Sequence, residues 1–222
     1  MILTQDILNK VKQRTPFFQK QAINSNIFSW AELEGLLNLR PMVKVDRFFI
    51  NFIRSDLRPT YNWINPNWAT ENAYPASLIQ EEIKKYVCFL IDCSKANRSI
   101  NEICAQLEDV SKAATDAHIF FSFITKDLSF DQYVHKDVSD NLIVQIDGKT
   151  NFKVWDTICP REHFNKPVLD VVMEPGDIIY IPKDIWHGAF SLTKRLSVSF
   201  PMAVSAPAAM EDRHWISLSD PI

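Results

Sequence analysis

The sequence predicts a mostly β protein with N-terminal helices, an α+β chain whose C-terminal half forms a double-stranded β-helix, the jelly-roll barrel. From His118 onward, about eight short apolar or alternating segments follow one another. Turn residues separate these segments, among them Asp147-Gly148 and Pro175-Gly176-Asp177. Before residue 115, apolar residues recur at helical spacing instead. Eight short strands with tight turns fit a jelly roll.

The N-terminal part, residues 1–115, is predicted to be an elaboration of helices and strands on this barrel. Apolar residues at helical spacing predict a helix over residues 1–13. Phe17 begins an extended piece, and a second helix begins at Trp30. Ser29 is the predicted N-cap of that helix, with Glu32 three residues on.

The middle of the chain combines strand, loop and helix patterns. Residues 42–53 are rich in Val, Phe and Ile and predict one or two strands. Residues 56–75 hold prolines, asparagines and large aromatic side chains, which fits either a substrate-binding loop or a loop tucked into the core. Helices are predicted over residues 76–89 and 99–113, the second with one apolar face.

From residue 116 to 201 the predicted elements are the strands of the barrel core. Their predicted ranges are 118–124, 132–137, 141–147, 150–156, 168–173, 178–181, 187–191 and 196–201. Residues 202–222 form a C-terminal tail that is expected to cap the barrel or to form a homodimer contact. No stretch has the composition of a linker, so residues 1–222 are predicted to form a single domain.

Composition excludes several classes of partner. The net charge of −3 argues against nucleic acid, and no run of apolar residues is long enough to predict a membrane span. Four glycines and no Gly-rich motif argue against a phosphate-binding loop. The N-terminus lacks a signal-peptide pattern and the four cysteines form no C-x-x-C pair, which predicts a cytoplasmic protein with reduced cysteines.

Two histidines and one carboxylate are the candidate metal ligands. His135 and Asp137 are two residues apart, so in an extended chain their side chains share a face. His187 follows in a distant predicted strand. Two histidines and one carboxylate, with the remaining positions open, form the ligand set of non-haem Fe(II) oxygenases. The sequence therefore predicts that these three residues are the metal ligands and the catalytic centre.

The surroundings of His187 resemble a known family. Pro175-Gly176-Asp177 is followed by a short apolar strand, Pro182 and then His187, and this run resembles the second motif of cupins. The chain from about residue 118 to 200 is similar to JmjC-type cupin oxygenases. That resemblance implies Fe(II) as cofactor, 2-oxoglutarate as cosubstrate, and hydroxylation of a protein or peptide side chain or of a small molecule.

Four residues are candidates for binding 2-oxoglutarate. JmjC-like cupins usually place a lysine about fifteen residues after the first histidine, where this chain has Thr150. Arg195 begins the last strand and shares strand parity with Ser197, so both can face the barrel interior. A guanidinium grips a carboxylate well. Arg-x-Ser at this distance past the last candidate iron ligand also resembles the 2-oxoglutarate clamp of other oxygenases on the same barrel. Arg195 with Ser197 is therefore the predicted clamp, with Thr150 and Asn141 as further cofactor-binding candidates.

Two other functions fit parts of this pattern. A metal-dependent cupin dioxygenase or isomerase would not use 2-oxoglutarate, but such proteins usually bind their metal mostly through histidine. A non-catalytic cupin would keep the barrel as a binding module. Release of succinate in the presence of iron and 2-oxoglutarate would separate the oxygenase from both alternatives.

Overall fold

The computed structural model describes residues 1–38, 49–53, 84, 87–91, 93–123, 135–155 and 166–203. Its helices are α1 (Gln5–Gln13), α2 (Trp30–Asn38) and α3 (Arg98–Ser111), with a short 3-10 helix at Ser25–Ile27. Its strands are β1 (Phe17–Gln19), β2 (Phe49–Ile53), β3 (Val87–Ile91), β4 (Ala114–Thr115), β5 (His118–Ser122), β6 (Asp140–Asp147), β7 (Thr150–Val154), β8 (Leu169–Met173), β9 (Ile178–Ile181), β10 (His187–Ser191) and β11 (Arg195–Ala203).

The strands form two antiparallel sheets whose inner faces pack on each other. The larger sheet has the order β1-β9-β6-β11-β5-β3-β2, and β4 pairs with β11. The smaller sheet has the order β10-β7-β8. Apolar side chains from both sheets meet in one buried cluster: Ile143, Phe152, Val154, Met173, Ile179 and Ile181. This two-sheet arrangement is the jelly-roll barrel that the strand pattern predicts.

Alternation along β11 decides which side chains enter the barrel. Leu196, Val198 and Phe200 belong to the larger buried cluster, together with the apolar faces of α1 and α3. Because successive side chains of a strand point to opposite faces, Arg195, Ser197 and Ser199 face the barrel interior. The helices thus cover the outer face of the larger sheet and leave a polar strip along its inner face.

Two glycines permit the turns that the sequence predicts. Gly148, between β6 and β7, has a φ of 71°, and Gly176, before β9, has a φ of 91°. A Cβ atom at residue 148 would collide with the carbonyl oxygen of Lys194, so the close approach of that neighbouring loop also requires glycine. Each turn connects strands of different sheets, β6 to β7 and β8 to β9, so neither closes a hairpin.

One predicted helix is wrong in part. Residues 87–89 of the predicted helix 76–89 lie in β3, which pairs with β2 and β5. The run Val87–Ile91 is apolar and partly β-branched, and its pairing with two neighbouring strands outweighs the helical pattern upstream. The predictions for residues 42–48, 56–75, 132–134 and 204–222 lie outside the described residues, as do the remaining residues of that helix apart from residue 84.

The predicted strand 132–137 is also wrong in its described part, because His135 forms only an isolated bridge with His187 and residues 136–137 lie outside any strand. The other predicted elements within the described part of the chain agree with the structure to within a few residues. The N-terminal segment does more than predicted, because β1 pairs with β9 and so joins the larger sheet. No described helix is both long and apolar enough to cross a membrane.

Candidate metal centre

The backbone brings His135 and His187 side by side. The amide of His135 donates to the carbonyl of His187 at 3.0 Å, and the amide of His187 donates to the carbonyl of His135 at 2.9 Å. This antiparallel bridge joins two residues that are far apart in the sequence. Their ring centroids are 4.4 Å apart, so both imidazoles lie on the same side of the bridge.

Asp137 completes the cluster from the turn that follows His135. Its backbone carbonyl accepts from the amide of Asp184 at 2.9 Å, which ties that turn to the segment leading into β10. Asp137 Oδ1 lies 3.3 Å from Nε2 of His135, and Oδ2 lies 3.4 Å from Nε2 of His187. One ligand atom from each of the three residues lies within 4.8 Å of the others. Neighbouring ligands of an ion at about 2.1 Å are roughly 3 Å apart, so the two separations of 3.3 and 3.4 Å fit neighbouring ligands of one metal ion.

The orientation of His187 suits metal binding. Its Nδ1 atom lies 2.9 Å from the carbonyl oxygen of Ile185, which can only accept, so Nδ1 carries the proton. The lone pair of the neutral ring is then on Nε2, the atom that faces Asp137. A backbone carbonyl on the far nitrogen is the usual way in which proteins fix the tautomer of a metal-binding histidine.

The charge of Asp137 is also fixed by its surroundings. Burial raises the pKa of this carboxyl, but hydrogen bonds that His135 and His187 donate when their Nε2 atoms are protonated outweigh burial and hold the pKa well below its usual range. When a metal ion takes the place of those protons, its positive charge acts on the carboxyl in the same direction. Asp137 is therefore ionised at neutral pH, which is the state that binds a cation.

Asn141 lies next to this cluster and contacts Asp137 directly. Its Nδ2 atom donates to Oδ2 of Asp137, and its Oδ1 atom accepts from Ser199 Oγ at 3.0 Å. Cofactor binding by Asn141 stays a prediction, and the structure shows in addition a contact between its amide and a candidate metal ligand. The position of Ser199 on the inner face of β11 is the signal that could have indicated this contact.

Arg195 and Thr150 form a second polar cluster inside the barrel. This arginine is 2% exposed, and its Nη1 atom donates to Thr150 Oγ1 at 3.3 Å. Its Nε atom has no hydrogen-bond partner among the described residues. Burial lowers the pKa of Arg195 to about 10, so the guanidinium still carries its charge at neutral pH. A buried cation without a counterion is costly, and a bound carboxylate would remove that cost.

Ser191 is a residue that the sequence analysis did not assign. It pairs with Thr150 across β10 and β7, so the two side chains are neighbours on one face. Ser191 is 3% exposed, and its Oγ has no partner within the described part of the chain. Its strand parity with His187 is the signal that could have identified it. Ser197 is also buried on the inner face of β11, as predicted.

Fold and site together define a class of protein. A jelly-roll barrel that gathers two histidines and one carboxylate is a metal-binding cupin with the ligand set of non-haem oxygenases. The family model described as "JmjC domain" matches residues 95–211, more than half of the chain. The chain therefore belongs to the JmjC family of Fe(II)- and 2-oxoglutarate-dependent oxygenases.

The chain is similar to curated JmjC proteins over part of their length. It is 21% identical over 207 residues to the bifunctional lysine-specific demethylase and histidyl-hydroxylase NO66 of Drosophila persimilis, covering 87% of this chain and 28% of that protein. It is 28% identical over 83 residues to NO66 of Aedes aegypti, covering 32% of this chain and 13% of that protein. The chain thus spans less than a third of the length of these relatives.

Solved structures show the same fold. YcfD, a ribosomal oxygenase from Escherichia coli solved with cobalt and 2-oxoglutarate, superposes with a TM-score of 0.63 at 17% identity. The match covers 94% of this chain and 54% of YcfD. The structure of the same protein with cobalt and succinic acid gives the same values.

Proposed function

We propose that this protein is an Fe(II)- and 2-oxoglutarate-dependent hydroxylase that acts on a protein or peptide side chain, or on a small molecule. The observation that carries the proposal is the convergence of His135, Asp137 and His187 within 4.8 Å inside a JmjC barrel. The names of the relatives, a histidyl-hydroxylase and a ribosomal oxygenase, favour a protein substrate.

Each of the three candidate metal ligands has a role in this proposal. His135, Asp137 and His187 would hold the iron, which supplies oxidation of an unactivated C–H bond when it is bound with 2-oxoglutarate and dioxygen. Ionised Asp137 supplies the negative charge of the ligand set. The hydrogen bond from His187 Nδ1 to the carbonyl of Ile185 leaves the lone pair of Nε2 available to coordinate the metal.

Arg195 is proposed to bind the distal carboxylate of 2-oxoglutarate. Its buried charge and unpaired Nε support this role, and Thr150 contacts the same guanidinium. The two alternative binding sites for this carboxylate, Arg195 and the Thr150 strand, are therefore in direct contact. The hydroxyl of Ser191 is a neighbouring group that can donate to the same carboxylate. A cupin that binds no anionic cosubstrate would leave this buried cation without a counterion among the described residues.

The test is formation of succinate from 2-oxoglutarate with Fe(II) and dioxygen. We expect His135→Ala and Asp137→Ala to abolish turnover, because each removes one of three metal ligands. His118→Ala is the matched control, since His118 lies on β5 outside the cluster and is only partly buried. Wild-type turnover by either ligand variant would contradict the proposed centre. Iron binding without succinate formation would favour the non-catalytic binding module.

A further inference from the structure

The amide of Asn141 lies between the carboxylate of Asp137 and the hydroxyl of Ser199. Nδ2 donates to Asp137 Oδ2, and Oδ1 accepts from Ser199 Oγ at 3.0 Å. Asn141 is 6% exposed and Ser199 is 4% exposed, so the bond between these two side chains is shielded from water. A flipped amide would turn its carbonyl oxygen toward a carboxylate, and two acceptors cannot bond each other. Ser199 and Asp137 therefore fix one orientation of Asn141.

This bond distinguishes the two oxygens of Asp137. Oδ1 faces Nε2 of His135 and Oδ2 faces Nε2 of His187, at similar distances of 3.3 and 3.4 Å. Only Oδ2 also accepts a hydrogen bond from Asn141. A carboxylate can bind a cation through one oxygen or through both. A donor held on Oδ2 occupies a lone pair of that oxygen and leaves Oδ1 as the better metal ligand.

The number of coordinating oxygens matters for the proposed function. Three ligands that each give one atom leave three octahedral positions open, and the cosubstrate and dioxygen together need all three. If Asp137 coordinated through both oxygens, it would close one of them. We propose that Asn141, oriented by Ser199, is a positioning residue that holds Asp137 as a one-oxygen ligand. This inference rests on the proposed function of the same site.

The experiment measures metal binding rather than turnover. Co²⁺ affinity is measured by calorimetry, and the waters bound to Mn²⁺ are counted by EPR line broadening in ¹⁷O-enriched water. We expect Asn141→Leu to weaken Co²⁺ binding by about ten- to a hundred-fold, the usual effect of removing a hydrogen bond to a ligand. We also expect the bound waters to fall from three to two. Ser199→Ala should also lower the Co²⁺ affinity and the mean number of bound waters, but by less than Asn141→Leu does.

Asn101→Leu is the matched control. Asn101 is 4% exposed on α3, and its amide donates to the carbonyl of Ser94, away from the barrel interior. The Asn101→Leu variant makes the same substitution at another buried asparagine, and we expect it to bind Co²⁺ with wild-type affinity and Mn²⁺ with three waters. Asn141→Leu with unchanged affinity and water count would overturn the inference. If that variant does not fold by circular dichroism, Ser199→Ala decides, and wild-type values for it would likewise overturn the inference.

The result also separates this inference from the proposed function. A wild-type protein that binds no Co²⁺ overturns the proposed metal centre, and the role of Asn141 with it. A wild-type protein that binds Co²⁺ with three waters, together with an Asn141→Leu variant that behaves identically, overturns only the role of Asn141.

Discussion

Arg195 shows how one residue can be costly for the fold and useful for the site. Its guanidinium is buried, its single side-chain partner among the described residues is the neutral hydroxyl of Thr150, and burial lowers its pKa to about 10. At neutral pH the fold therefore contains a cation without a described counterion. Such a group is tolerated where a ligand supplies the opposite charge.

Replacing this arginine should separate affinity for the cosubstrate from stability. We expect Arg195→Met to weaken 2-oxoglutarate binding by about ten- to a hundred-fold, because a charge-assisted bidentate bond contributes about 1.5–3 kcal/mol. Thr150→Val should weaken it less, since it removes one neutral hydrogen bond. The KM for 2-oxoglutarate checks both.

Arg98→Met provides the control for this comparison. Arg98 lies on α3 with its side chain 67% exposed, so its loss should leave the KM unchanged. A larger effect of Thr150→Val than of Arg195→Met would move the carboxylate site to β7.

At the scale of elements, Asp140 joins α1 to the strands that carry the site. Its carboxylate accepts from Arg14 Nη2 at 3.1 Å, from Tyr180 OH at 3.0 Å and from the amide of Lys183 at 2.9 Å. Arg14 is the C-cap of α1, and Tyr180 lies on β9. Burial, together with the charge of Asp140, raises the pKa of Tyr180, so its hydroxyl stays a donor at neutral pH.

This junction can be tested by a double-mutant cycle. We expect Asp140→Ala to lower the free energy of unfolding by about 1–3 kcal/mol, because it leaves the buried hydroxyl of Tyr180 without its acceptor. Tyr180→Phe in the Asp140→Ala background should cost much less than in the wild type, since the hydroxyl no longer has a partner to lose. Urea unfolding measures all four proteins. Additive effects would show that the two side chains do not depend on each other.

At the scale of the whole molecule, β11 connects both halves of the site. It pairs with β4, β5 and β6, and it places Arg195 near Thr150 and Ser199 near Asn141. Arg195, which would bind the cosubstrate, and Ser199, which orients Asn141, thus lie on the same strand. Ligands at either end should therefore stabilise the same folded barrel.

Thermal unfolding measures this linkage. With Co²⁺ and 2-oxoglutarate each at about a hundred times its dissociation constant, under anaerobic conditions, each ligand should add about 2.7 kcal/mol. For a chain of this size that corresponds to about 5–10 °C in Tm per ligand. Asp137→Ala should lose the increment from Co²⁺, Arg195→Met should lose half or more of that from 2-oxoglutarate, and a chelator should return the wild type to its original Tm. Equal increments in wild type and variants would contradict the assignment.

Most of the barrel strands were predictable because each carries its own local signal, whereas residues 135–137 of the predicted strand 132–137 contribute only an isolated bridge. Ile178–Ile181 and His187–Ser191 were predicted with the observed bounds, since turn residues and proline delimit them. β3 was not predicted, because its five residues follow a segment with helical spacing and only pairing with β2 and β5 makes them a strand. The inclusion of β1 in the larger sheet likewise depends on β9, which is distant in the sequence.

The sequence by itself determined the class of fold and proposed the three candidate ligands, because strand periodicity, turn residues and the His-x-Asp pattern are local properties of the chain. Only the tertiary structure decided which polar residues inside the barrel contact one another. It brought Arg195 and Thr150 into one contact, placed Ser191 beside them, and turned Asn141 toward Asp137. These contacts join different strands, and register between strands is set by the packing of the whole barrel.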